Sequence, residues 1–301
     1  MELSLKDIRE IGNIELLARQ MVEGFITGLH KSPYHGFSVE FAEHQRYNSG
    51  ESTRHIDWKV FAKTDRLYTK RYEEETNLRC HLVIDCSSSM YYPKNSKGKI
   101  TFSIMAAAAL TYLLQKQRDA VGIFTFTDRL DIQTPVRSTS THAHKILLIL
   151  ERLLKQNSQN KSTSIAPVLH EIAQKIHKRS LVILLSDMFH NQDQHEDLFT
   201  ALQHLKHQKN EVLIFHITDH DTELNFEFED RPYEFIDLES GEKTRLVPGE
   251  IKSSYQQAMK EYLQQLRMKC HQFKIDFIEV DVKEPFQRVL SQYLIKRARM
   301  K

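Results

Sequence analysis

Asp85, Ser87 and Ser89 stand at alternate positions in the stretch LVIDCSSSMYYP, residues 82–93, directly behind a run of aliphatic residues. One carboxylate and two hydroxyls at that spacing offer oxygen atoms alone. Further along, SLVILLSDMF places Ser186 and Asp187 behind another aliphatic run, and NKSTSIAP places Thr163 and Ser164 ahead of a helical stretch. An oxygen set with two carboxylates and no His or Cys suits a hard divalent cation that keeps several waters, so magnesium or manganese fits better than zinc. Two carboxylates balance the charge of such an ion and leave a coordination position that an acidic side chain of a partner could fill. The plain alternative is a strand exit whose hydroxyls satisfy local backbone groups. For one segment that alternative is the better account; three segments in order favour the ion. Ser88 points away from Ser87 and Ser89 in an extended backbone and is left out of the set.

These residues need a scaffold that brings three segments to one rim. From residue 79 onward short aliphatic strands alternate with longer helical stretches, the pattern of an open α/β sheet. The strands are expected at 81–85, 120–126, 130–136, 180–186, 211–218 and 274–281, and the helices at 99–118, 142–155, 164–178, 195–208, 252–271 and 284–298. Between Phe126 and Leu130 the chain is too short for a crossover helix, so the third strand is expected antiparallel at the sheet edge and the other five parallel. Residues 222–250 read as a small β insertion turning at Arg231-Pro232 and Ser240-Gly241. In a parallel sheet, sites form outside the carboxyl ends of strands, which is where Asp85 and Asp187 fall. Ahead of this region, residues 13–30 carry apolar residues at helical spacing, and 34–78 read as extended segments joined by turns rather than helices.

Composition narrows the function classes. A net charge of +2 with 27% charged residues gives no general attraction to nucleic acid or membrane. Cys80, Cys86 and Cys270 are odd in number and lack a CxxC spacing, which fits buried thiols in a reducing compartment. No secretory leader is read at the amino terminus, and the apolar runs fall far short of the roughly 20 residues that span a bilayer. A cytoplasmic protein is expected. The histidines, including His142, His144, His204 and His207, show no converging third ligand and are expected at the surface. The basic tail around Lys296, Arg297, Arg299 and Lys301 fits complementation of a helix dipole, and the Glu73–Glu75 run a solvated face.

The ordered set Asp85, Ser87, Ser89, Thr163 and Asp187 resembles the metal-ion-dependent adhesion site of von Willebrand factor type A (vWA) domains, over roughly residues 79–219 and 252–301. The resemblance implies a magnesium or manganese ion on those five residues and a partner that supplies an acid. Two details depart from it: no glycine precedes Thr163, and SDMF stands where threonine-aspartate-glycine is commoner. Upstream, Arg46, Tyr47, Gly50, Arg54, Ile56, Asp57 and Trp58, followed by Lys63-Thr64, Leu67-Tyr68 and Lys70, resemble the characteristic segment of the bacterial domain of unknown function 58 family. For Arg46, Arg54 and Asp57 an ion-pair network stapling this segment to the sheet is the plainer account, and Trp58 reads as a packing anchor. Family members are typically associated with MoxR-type AAA+ ATPases.

The expectation is an α/β, vWA-like (Rossmann-like), mostly parallel six-stranded sheet flanked by helices. Residues 1–78 would form an N-terminal helix and extended segment packing on the sheet, and residues 79–301 the vWA-like domain with the insertion at about 222–250. The expected function is non-enzymatic: a divalent-metal-dependent protein–protein interaction module, an adaptor or co-chaperone of a MoxR-type AAA+ ATPase. One rival is a metal-dependent phosphoester hydrolase, weakened because Ser87 stands where a haloacid-dehalogenase-type phosphatase needs a second aspartate. No GxSxG elbow or glycine-rich phosphate loop is present either. The other rival, nucleic-acid binding through Lys59–Arg71, is better explained by the family segment.

Overall fold

The computed structural model describes residues 13–30, 44–46, 58–65, 68–70, 78–93, 98–155, 165–189, 195–238, 241–285 and 287–299. Two compact units divide the chain: Thr27–Asn77, and Met1–Ile26 together with Leu78–Lys301. In the smaller unit β1 (His44–Arg46) pairs antiparallel with β2 (Tyr68–Lys70), Arg46 lying opposite Tyr68. Between them runs the helix α2 (Trp58–Thr64), where only extended structure was expected. WKVFAKT contains no glycine or proline and places Trp58, Phe61 and Ala62 at helical spacing, a local signal masked by the charged, glycine-containing sequence around it.

The larger unit holds a six-stranded sheet of β3 (Arg79–Asp85), β4 (Ala120–Phe126), β5 (Leu130–Gln133), β6 (Leu181–Ser186), β7 (Glu211–Thr218) and β10 (Asp276–Asp281). Across the sheet the order is β10-β7-β6-β3-β4-β5. Five strands run parallel, and β5 lies antiparallel to β4 at the edge, as the short connection requires. This is the mostly parallel, Rossmann-like sheet expected, and its order reverses between β3 and β6. The chain leaves β3 through α3 (Gly98–Lys116), which packs with α4 (Ser140–Lys155) and α8 (Gln287–Arg299). It enters β6 from α5 (Ile165–Lys175) and leaves it through α6 (His195–His207); with α7 (Pro248–Gln272) these cover the other face.

Packing explains the elements. α3 is buried nearly all round, which is why its Ala106–Ala109 run shows no polar face. On the opposite face, Ile165, Leu169 and Ile172 of α5 meet Leu198, Leu202 and Leu205 of α6, Leu266 and Cys270 of α7, and the β3, β6 and β7 side chains. α1 (Ile14–His30) starts at Asn13, whose side-chain oxygen accepts the Leu16 N–H at 3.0 Å. It buries Ile14, Leu17, Ala18, Val22 and Phe25, with Tyr112 of α3 reaching Glu23 and His144 of α4 reaching Glu15. The chain has nine glycines, and the turns into β4, β6, β7 and β10 manage without them: Arg118, Arg179, Lys209 and Lys274 take positive φ two residues before each strand.

Three expectations are revised. The insertion is the expected pair of short strands, β8 (Tyr233–Ile236) with β9 (Lys243–Leu246), but among the described residues no strand within it precedes Arg231-Pro232: a π-helical turn stands at His220–Leu224, and NFEFED, which alternates like a strand, turns at Phe226 with φ 52°. The histidines are not all at the surface. His142 is buried, His204 is half-buried with its Nδ1 3.0 Å from that of His170, and His81 and His216 lie inside the sheet, where burial pushes each imidazole down to about 4. The tail residues Lys296 and Arg297 are tied by ion pairs, Lys296 to Glu211 and Asp276 at 2.7 and 2.8 Å and Arg297 to Asp119.

Candidate functional site: a carboxylate rim at the strand-order reversal

Asp85 ends β3 and Ser186 ends β6, adjacent strands whose onward connections depart to opposite faces of the sheet. A crevice therefore opens at their carboxyl ends. Both Asp85 and Asp187 are about 1% exposed. The Ser87 N–H donates to Asp85 Oδ1 at 2.9 Å, and the Ser186 hydroxyl donates to Asp85 Oδ2 at 2.6 Å. Ser87 and Ser89 hold their Oγ atoms 3.0 Å apart, so the alternate serines do converge. Ser88 opens a short 3₁₀ turn, Ser88–Tyr91, which folds the chain back beside the serines.

The loop after β6 departs from the commoner glycine, and its geometry shows how. Met188 takes φ 54°, the left-handed region in which glycine is at ease and a branched or long side chain costs about 1–2 kcal/mol. Two hydrogen bonds hold it there: its N–H donates to Ser186 Oγ at 2.9 Å, and its carbonyl accepts the Tyr262 hydroxyl at 2.5 Å. Its side chain joins the core between β6 and the helices. The loop keeps a glycine-like turn with methionine, and Asp187 stays at the rim, its Oδ1 accepting the Phe189 N–H at 3.2 Å.

Sequence reasoning missed two members of this cluster. Lys99, in the first turn of α3, is fully buried; its ammonium donates to Asp187 Oδ2 at 2.8 Å and to Glu223 of the π-helical turn. The rings of Tyr92 and Phe189 lie 5.9 and 5.3 Å from the ammonium. Burial opposes charge on Lys99, but Asp187 and Glu223 outweigh it and hold the ammonium above the usual lysine range. A lysine at a helix start and a glutamate in a charged insertion carry no signal of burial, so only the fold reveals the pair.

The electrostatics leave a surplus of negative charge. Three carboxylates, Asp85, Asp187 and Glu223, share one ammonium, so with all of them ionised the cluster carries two uncompensated charges. Burial, and next the neighbouring Asp187, push the Asp85 carboxyl up to about 7; burial likewise raises that of Glu223. A hard divalent ion would cancel that surplus, and the oxygen donors of Asp85, Ser87, Ser89 and Asp187 match it in kind. In charge and hardness the rim fits a magnesium or manganese ion. Among the described residues no cluster of three or more His, Cys, Asp or Glu side chains is arranged to hold a metal, so such an ion would lean on hydroxyls and water as well. Thr163 lies outside the described residues, as do Tyr47, Gly50, Arg54, Ile56 and Asp57; Arg46 falls in β1 and Trp58 at the start of α2.

The hairpin connects to this cluster through Glu223 and α7. The carbonyl of Glu223 accepts the Tyr255 hydroxyl of α7 at 2.8 Å, and Phe226, Phe228, Tyr233, Phe235 and Tyr255 form one aromatic cluster with ring centres 4.5–5.9 Å apart.

Uncharacterized proteins Mb1516 of Mycobacterium bovis and Rv1480 of Mycobacterium tuberculosis are each 24% identical over 174 residues, covering 58% of this chain. The match takes in 55% of each relative, so the chain spans about half the length of these curated proteins. Similar solved structures include BatB from Bacteroides thetaiotaomicron, at 12% identity and TM-score 0.44 over 74% of this chain and 99% of that one. Another is an aerotolerance-related membrane protein from Bacteroides fragilis, at 15% identity and TM-score 0.43 over 73% and 99%. Among the described residues no helix is long and apolar enough to cross a membrane. The model of the family described as protein of unknown function DUF58 matches residues 43–265, a span that takes in the Arg46–Trp58 segment, the carboxylate rim and the β8–β9 hairpin. This chain belongs to the DUF58 family.

Proposed function

We propose that the rim binds a magnesium or manganese ion and that the protein is a non-enzymatic, metal-dependent protein–protein interaction module. One observation carries the reading: two buried carboxylates and a pair of converging serine hydroxyls meet where the strand order reverses, with more negative charge than Lys99 cancels. Such an ion keeps a coordination position open, and a partner's carboxylate is a hard oxygen ligand that would fill it. The hairpin beside the rim supplies a surface that such a partner would touch. The resemblance of the Arg46–Trp58 segment supports an adaptor or co-chaperone role with a MoxR-type AAA+ ATPase, acting in the cytoplasm.

The rival reading is a metal-dependent phosphoester hydrolase. That rival would use the same oxygens with a bound ion, and sustained, Asp187-dependent turnover of a generic phosphoester in Mg²⁺ would favour it. Test and readout are direct. Purified protein is titrated with Mn²⁺ by electron paramagnetic resonance, then mixed with a purified MoxR-type ATPase of the same organism in Mg²⁺ or in EDTA. Binding of Mn²⁺ and of the ATPase, both lost in EDTA and in Asp85→Ala, is expected. Capture that persists unchanged in EDTA and in the variant would refute the metal-dependent interaction.

A further inference from the structure

A cation already stands at the rim. The Lys99 ammonium is fully enclosed, held by Asp187 Oδ2 at 2.8 Å and by Glu223, between the rings of Tyr92 and Phe189. Glu223 does more than hold Lys99. Its Oε2 accepts the Asp219 N–H at 2.8 Å, its carbonyl accepts the Tyr255 hydroxyl, and three residues on Phe226 lies tilted against the Tyr255 ring, centres 4.5 Å apart. Gln256 adds a bond from its side-chain amide to the Asn225 carbonyl at 2.7 Å. Glu223 thus joins the rim to the aromatic hairpin.

We propose that the Lys99 ammonium is the resident counter-ion of this rim, that a divalent ion displaces it from Asp187, and that Glu223 carries the displacement into the segment 219–228. The inference rests on the metal reading above. An ammonium and a divalent ion cannot share Asp187 cheaply, because like charges about 4–5 Å apart repel strongly in a poorly hydrated site. The ammonium keeps a partner only by staying with Glu223, and Glu223 can follow it only if its own ties to Asp219 and Tyr255 adjust. The arrangement also sets specificity. A rim that already holds one positive charge binds a divalent ion weakly alone and firmly once a partner's carboxylate adds negative charge, so the ion and the acidic partner favour each other's binding.

The experiment uses the full chain, with Mn²⁺ affinity read by electron paramagnetic resonance and hydrogen exchange of residues 219–228 read by mass spectrometry with and without Mg²⁺. Wild type is compared with Lys99→Met and Glu223→Gln, each checked for folding by circular dichroism. Lys99→Met is expected to bind Mn²⁺ about tenfold more tightly or better. Glu223→Gln, which leaves the ammonium to Asp187 alone, is expected to bind severalfold more weakly. In wild type Mg²⁺ should speed exchange of residues 219–228 severalfold, and in Glu223→Gln that segment should exchange quickly regardless of Mg²⁺. Mn²⁺ binding by Lys99→Met but not by wild type overturns the displacement, and with it the metal reading of the wild-type rim, leaving Lys99 as a permanent counter-ion. Wild-type binding combined with equal or weaker binding by Lys99→Met, or with exchange indifferent to Mg²⁺, overturns this inference and leaves the metal reading standing. No Mn²⁺ binding by any of the three proteins overturns both. If Lys99→Met does not fold, Glu223→Gln decides, and an Mn²⁺ affinity equal to wild type overturns the proposal.

Discussion

Replacing Asp85 with asparagine is expected to stabilise the metal-free protein while removing the residue the rim needs for a cation. In the folded chain burial, and next Asp187, raise the Asp85 carboxyl from 3.8 to about 7. Folding therefore favours the protonated form: this contribution to stability is fully present below pH 3.8 and is lost as pH rises through about 7. At about 1.4 kcal/mol per unit, ionised Asp85 costs the folded state at most about 4 kcal/mol at pH 8. Asparagine carries no charge at any pH. It can still accept the Ser87 N–H, but an amide nitrogen facing Ser186 no longer accepts the hydroxyl that donates at 2.6 Å, a loss of about 1 kcal/mol. The expected balance is a gain of about 2–3 kcal/mol at pH 8 and a loss of about 1 kcal/mol at pH 4. Urea unfolding in EDTA, followed by circular dichroism at both pH values, measures it. Added Mg²⁺ at about a hundred times its dissociation constant should stabilise wild type by about 2.7 kcal/mol and leave the variant unmoved. A variant less stable than wild type at pH 8, or differing from it equally at both pH values, would refute the electrostatic account.

Two further perturbations test the scaffold. His81 stacks on Phe124 at 5.4 Å with no hydrogen-bond partner among the described residues on either ring nitrogen, and its imidazole is pushed down to about 4, chiefly by burial. The neutral ring's contribution is complete above pH 6.5 and is lost as pH falls toward 4, up to about 3 kcal/mol; His81→Phe should flatten that part of an unfolding pH profile, and an unchanged profile would count against it. Arg297→Ala strips the guanidinium from Asp119, which is 3% exposed, at an expected cost of about 2–4 kcal/mol in urea unfolding. The double variant with Asp119→Asn should recover part of the loss, and strict additivity would show that the two groups do not act as a pair.

The sheet was readable because its strands are uniformly aliphatic and its helices separate them at regular intervals. β4 and β7 fall at the residues expected, and the antiparallel β5 follows from a connection too short to cross the sheet. The convergence of Ser87 with Ser89, and the meeting of Asp85 with Ser186 beside Asp187, were legible from strand ends and residue types. What stayed hidden depends on burial that residue type alone disguises. Lys99 looks like an ordinary helix-start lysine until three packed elements close over it, and Glu223 sits in a run of acids that resembles solvated loop. Trp58–Thr64 was lost because a single short helix gives a weak periodic signal inside charged sequence. Lys296 and Arg297 looked like a helix-dipole tail, since their partners Glu211, Asp276 and Asp119 are distant in sequence.

The hairpin's two sides answer to different constraints. Tyr233 and Phe235 are half-buried and turn toward Phe226 and Phe228, while Glu234 and Ile236 face outward and are exposed. Alternation along a strand keeps these sets apart, so a substitution at Glu234 or Ile236 leaves the ring stack and its attachment to Tyr255 undisturbed. The outward side can therefore be rewritten while the ring cluster that mounts the hairpin stays fixed.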